Sequence, residues 1–187
     1  MAIRNNPLVN DQYYHIINRS IAGYKIFLKD RDYRRFFDSL VYYKNPIVNL
    51  KFNRYLDLSE KMKRKVIENN NKNSLVSMVA YCLMPTHFHL LIRQNINDGI
   101  SKYIGNILNS YSHYFNIKNK RKGPLWESKF KNIRIETDEQ LLHLTRYIHL
   151  NPSSASIVDN PQNWEWSSYQ EYLKGEENVC NYKNIVN

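Results

Sequence analysis

The residues best able to do chemistry sit in two short runs. The first is His87-Phe88-His89-Leu90-Leu91-Ile92, which follows a Met84-Pro85-Thr86 break. In a strand, residues two apart share a face and rise about 3.3 Å per position. The His87 and His89 rings then stand roughly 6 to 7 Å apart at their bases, close enough to lean onto one cation. Phe88 points the other way, into a core. A half-buried strand can also carry two histidines on its wet face, so the pair gains meaning only from what else joins it.

The second run is Arg146-Tyr147-Ile148-His149-Leu150-Asn151-Pro152. On a helix His143, Tyr147 and Asn151 recur every fourth residue and fall on one stripe. A phenol is a weak nucleophile at neutral pH, but its oxygen can attack a phosphate once a divalent cation polarises the phosphoryl group. Tyr147 is the candidate nucleophile, and the Asn151 carbonyl oxygen, one turn on, is a candidate third metal ligand beside His87 and His89. The ordinary role of a tyrosine in a chain with 15 of them is packing.

The elements that must position these groups follow from periodicity. Tyr13 to Arg19 is β-branched and aromatic and predicts a first strand, followed by a turn from Ser20 to Gly23. Asp30 to Tyr43 carries Phe36, Phe37, Leu40 and Val41 at helical spacing, with Asp30 as the expected N-cap. The stretch 44–73 reads as an insertion holding one short basic helix up to Ile67 and ending in the Asn-rich run Glu68 to Asn73. Ser74 to Leu83 and His87 to Gln94 predict a hairpin of two strands. A helix over 97–117 follows, with Ile100, Tyr103, Ile104, Ile107, Leu108, Tyr111 and Phe115 on its apolar side. After a basic loop, Phe130 to Ile135 alternates as a fourth strand, one face buried and the other presenting Lys129, Lys131 or Arg134. The last helix starts at Thr137 or Asp138 and is expected to end at Pro152. Trp164 and Trp166 are expected to pack on the core, and Gly175 to Asn187 to be loosely held.

That order, strand, helix, strand, strand, helix, strand, helix, predicts an α+β fold. It is a ferredoxin-like antiparallel four-stranded sheet with helices on one face and an extra C-terminal helix bearing the tyrosine. Residues 1–187 form one domain, with a core over about 10–175.

Composition narrows the partner. The chain has 187 residues, 27 Lys+Arg against 17 Asp+Glu, a net charge of +10 and a pI near 9.5. That balance favours nucleic acid, and the many aromatics suit base stacking. Cys82 and Cys180 make no CxxC unit, which argues against a disulfide framework and for a reduced, cytoplasmic setting. No run long and apolar enough for a membrane span or signal segment is evident, so no membrane partner is expected.

Taken together, Pro85-Thr86-His87-Phe88-His89-Leu90-Leu91, Gly123-Pro124-Leu125-Trp126 with Lys129-Phe130-Lys131, Arg146 to Pro152, and Trp166-Ser167-Ser168-Tyr169 resemble the HUH-type single-tyrosine transposases, in particular the REP-associated tyrosine transposase branch. The resemblance spans about residues 10–175. It implies a nuclease that binds single-stranded or hairpin DNA and nicks and joins it with Mg²⁺ or Mn²⁺. It further implies His87 and His89 as metal ligands and Tyr147 as the nucleophile that becomes joined to a 5′ phosphate. Asn151 stands where related enzymes place a polar third ligand. Arg19, Lys120, Arg121, Lys122, Lys129, Lys131 and Arg134 are the expected DNA contacts. A monomer and a homodimer, with Tyr147 acting in its own subunit or its partner's, both remain open. The alternative is a domesticated, catalytically silent DNA- or RNA-binding module on the same scaffold.

Overall fold

The computed structural model describes residues 7–46, 49–68 and 74–183. Parts of the expected insertion and tail, 47–48, 69–73 and 184–187, lie outside these. Four strands, β1 (Tyr13–Arg19), β2 (Val76–Met84), β3 (His87–Gln94) and β4 (Lys131–Ile135), form one sheet in the order β2-β3-β1-β4, every neighbour antiparallel. This is the ferredoxin-like order expected from the sequence. Met84 extends the second strand by one residue, and Pro85-Thr86 alone forms the turn.

Among the described residues six α-helices complete the fold: α1 (Asp30–Tyr42), α2 (Phe52–Leu56), α3 (Glu60–Glu68), α4 (Gly99–Lys118), α5 (Asp138–Ser154) and α6 (Tyr169–Lys174). The even-parity side chains of β3, Phe88, Leu90 and Ile92, are fully buried with Tyr14 and Ile16 of β1, and Phe36, Leu40, Ile104, Ile107 and Tyr111 of α1 and α4 close over them. Burying such a side chain is worth about 1.5 to 3 kcal/mol, so this face holds the sheet and both helices as one unit. Two phenols fasten the layer, the Tyr103 hydroxyl donating to the Leu40 carbonyl and the Tyr111 hydroxyl to that of Ile26 (2.8 Å each).

Helix α5 packs on the opposite face, against β2, β3 and β4. Strand β2 is therefore covered on both sides, which explains why it reads as a nearly continuous apolar run. The α5 helix runs through Pro152 to Ser154 rather than ending before it. Proline removes one backbone bond in the last turn, but Ile148, His149 and Pro152 are buried, and tertiary packing outweighs that loss.

Three further expectations change. The insertion carries two helices, and Phe52 and Tyr55 of α2 form a small second core with Tyr42. The tail is pinned rather than loose as far as Tyr182: the Glu171 carboxylate accepts from the backbone amides of Asn178, Val179 and Cys180, and the Tyr182 ring stacks on Tyr172. Strand β4 lies at the sheet edge, exposed or half-buried along its whole length, so it has no fully buried face. Trp166 does pack on the core, stacked on Tyr33, and Cys82 of β2 bridges to Ser167 along its free edge.

Candidate active site

The site forms on the α5 face of the sheet because of strand parity. His87 and His89 occupy alternate positions of β3, and the antiparallel register sets Arg19 opposite His87 and Ile17 opposite His89. The same register carries Lys131 of β4 opposite Ile17. One end of the sheet thus gathers two histidines, Arg19 and Lys131 on one face.

The imidazoles of His87 and His89 lie 5.0 Å apart between centroids and nearly perpendicular, at 82°. A third ring joins them. His15, in the middle of β1, stacks on His89 at 5.2 Å, and its Nε2 is 3.0 Å from the His89 Nδ1. His87 Nδ1 is held by the Thr86 hydroxyl at 3.0 Å. Both contacts occupy Nδ1 atoms, which leaves each Nε2 of the strand pair for another partner.

Burial sets the charge state. His15 and His87 are pushed down to about 4 by desolvation, with Arg19 adding to the effect on His87. His89 falls to about 3, chiefly through burial and then through His15, His87 and Arg19. At neutral pH all three are uncharged, the form in which an imidazole lone pair can bind a metal.

Helix α5 supplies the remaining groups. The Tyr147 ring is edge-on to His89 at 5.6 Å and to His15 at 6.3 Å, and it is 52% exposed. Exposure matters here, because a substrate must reach the phenol. One turn on, the Asn151 Nδ2 lies 3.4 Å from the His89 Nε2. Exchanging the amide's two ends would present Oδ1 at the same point. The donor set is then two neutral nitrogens and one amide oxygen, few enough to leave coordination positions for phosphate oxygens and water, and it fits a divalent cation. Among the described residues no group of three or more His, Cys, Asp or Glu could hold a metal.

The other residues of the two motifs take different places. His143 is on the solvent side of α5, 3.7 Å from Glu139. His149 is buried, its Nε2 2.8 Å from the Ser168 hydroxyl, and it joins α5 to the C-terminal segment. Lys129 enters the site's end of the sheet through its backbone, where the Asn18 amide donates to the carbonyls of Ser128 and Lys129. Lys120 and Lys122 are exposed on the loop after α4. Arg121 also braces that loop: its guanidinium donates to the Asn116 side chain (3.0 Å) and the Pro124 carbonyl (2.6 Å) and lies over Tyr24. Arg134 is on the opposite face from Lys131, across from Tyr14, and donates to Gln12 (2.9 Å). An odd separation along a strand forces that division, so the two cannot serve one surface.

His15 is the residue that reading the sequence missed. Its strand was evident, and its odd parity with Arg19 placed it on one face. What was missing was the register that sets it beside His89.

The family profile Transposase IS200 like matches residues 8–151. A Haemophilus influenzae protein assigned to the REP-associated tyrosine transposases is 28% identical over 109 residues, covering 52% of this chain and 61% of that relative, so the similarity spans about three-fifths of the relative's length. Among solved structures, a REP-associated tyrosine transposase bound to a REP hairpin superposes with a TM-score of 0.65 at 14% identity, covering 100% of this chain and 94% of the other, a likeness of fold.

Proposed function

The chain belongs to the IS200-like transposase family, and from that premise we propose that it nicks and rejoins single-stranded or hairpin DNA through a covalent 5′-phosphotyrosine on Tyr147. The observation that carries this reading is the convergence of Tyr147 and Asn151 on the His89 ring, the phenol ring at 5.6 Å and the amide at 3.4 Å, from elements far apart in the chain. The relatives named for tyrosine transposition, one of them solved with a hairpin, support it.

His87, His89 and Asn151 would hold the cation, and a bound Mg²⁺ or Mn²⁺ would supply Lewis-acid polarisation of the scissile phosphate. The chain's own residues do the rest. The Tyr147 oxygen forms the new bond to phosphorus and the bond to the 3′ oxygen breaks. The phenolic proton passes to solvent, and the departing 3′ oxygen takes one up. Arg19 and Lys131, on the same face, contact the backbone and orient it for in-line attack. Because the phosphodiester is stored on the phenol, attack by another 3′ hydroxyl reverses the step, which lets strands be joined without ATP. Thr86 and His15 keep the two ligand rings oriented.

The test is incubation of the full chain with a labelled library of hairpins carrying single-stranded flanks, in Mg²⁺ or Mn²⁺. A covalent protein–DNA band that disappears with Tyr147→Phe is the expected result. An adduct that survives the substitution overturns the nucleophile assignment. Cleavage without an adduct points to hydrolysis, and binding with neither points to a silent DNA-binding module.

A further inference from the structure

On the far side of the sheet from Tyr147, the outer stripe of α4 faces α2 of the insertion and the end of α1 across an open groove. Two abutting clefts of about 470 and 370 Å³ share Arg35, Asn53 and His113. Arg35 is the unusual member. Its guanidinium lies over the Tyr114 ring at 4.5 Å and the Phe52 ring at 5.4 Å, and one nitrogen reaches the Asn53 side-chain oxygen at 3.4 Å. Its buried Nε has no hydrogen-bond partner.

The nearby carboxylates are already committed. Asp38 is paired with Lys63 at 3.2 Å, and Asp32 takes Lys118 and the Tyr114 hydroxyl. Among the described residues Arg35 has no acidic partner within ion-pair distance. A half-buried cation left this way is costly unless an anion visits it. Asp57 lies at one end of the larger cleft, and the rest of the lining is neutral or basic, with Lys51, Asn106, Asn109 and Ser110 along the smaller one.

We propose that this groove binds the phosphodiester backbone of a nucleic-acid strand, with Arg35 as its central phosphate contact and Asn53, Asn106 and Asn109 donating alongside. The shape argues for a polymer over a single phosphate. Lining residues run along α4 from Asn106 to Lys118, about 18 Å at the helical rise, which is room for several successive phosphates. Amide and hydroxyl donors with a stacked guanidinium are the usual backbone-contacting groups, and they grip without reading sequence. The groove therefore holds DNA outside the cleaved stretch. The choice of DNA rests on the function proposed above, while the anion site does not.

The experiment measures anisotropy of labelled single-stranded and hairpin oligonucleotides over a salt series, in EDTA so that no cleavage occurs. It compares the full wild-type chain with Arg35→Gln and with Asn106→Asp/Asn109→Asp, whose side chains are exposed. We expect each variant to bind about tenfold or more weakly with a shallower salt dependence. The melting temperature of the exposed double variant, and the adduct yield of both variants at saturating DNA, should stay at the wild-type level. Unchanged affinity and salt slope in the exposed double variant overturn the proposal. So does tight binding of inorganic phosphate that both variants lose while oligonucleotide affinity is kept, because that marks a small-anion site. If no adduct ever forms yet both variants bind weakly, the groove stands and the cleavage reading falls.

Discussion

The Nε2 of His15 lies 3.0 Å from the Nδ1 of His89, a diagonal contact between adjacent strands β1 and β3. It fixes which nitrogen of His89 faces Asn151. Replacing His15 with phenylalanine keeps a ring of similar size and removes the nitrogen. We expect Mn²⁺ affinity, read by calorimetry, to fall about 10- to 100-fold. Equal affinity in the variant would mean that His15 only packs.

Asn151 is the sole side chain of α5 within hydrogen-bond reach of the His89 Nε2 among the described residues. Asn151→Ala should weaken metal binding, and Asn151→Asp, which adds a charged oxygen at the same reach, should strengthen it while altering the preference between Mg²⁺ and Mn²⁺. Titration of each variant with both ions checks this. Identical isotherms for all three proteins would remove Asn151 from the ligand set.

Asp32 is fully buried and gives the fold an acid-sensitive point. Burial alone would raise its pKa, but hydrogen bonds from Lys118, Tyr114 and the Leu28 amide, with the Lys118 charge, overcome that and hold it below the ordinary value. A carboxylate with a lowered folded pKa contributes stability that is present above about pH 4 and is lost as pH falls below it. Melting temperature should therefore drop steeply below pH 4. Asp32→Asn should lower stability by roughly 3 to 5 kcal/mol at pH 7, by stranding Lys118, and should flatten the acid limb.

Gly99 opens α4 with its backbone against Leu75. A Cβ built there would lie 2.3 Å from the Leu75 carbonyl oxygen, a contact with main chain that cannot swing aside. Gly99→Ala should cost about 1 to 3 kcal/mol in denaturant melts, whereas Gly105→Ala, with open space around it and a better helix former in place, should be neutral or slightly stabilising.

Local pattern fixed a good deal without any structure. The parity of His87 and His89 around Phe88, the three-and-four rhythm from Ile100 to Phe115, and the fourfold spacing of Tyr147 and Asn151 each depend on neighbours within a few residues, and so were legible directly. What needed the folded chain were relations between elements. Strand register brought His15 beside His89 and put Lys131 and Arg134 on opposite faces. Packing on the sheet carried α5 through Pro152 and left Tyr147 open to solvent while Ile148 was buried. Docking of the insertion against α1 created the groove around Arg35. Each is a long-range contact whose energy is shared among residues far apart in the chain, and no window of sequence contains both halves of it.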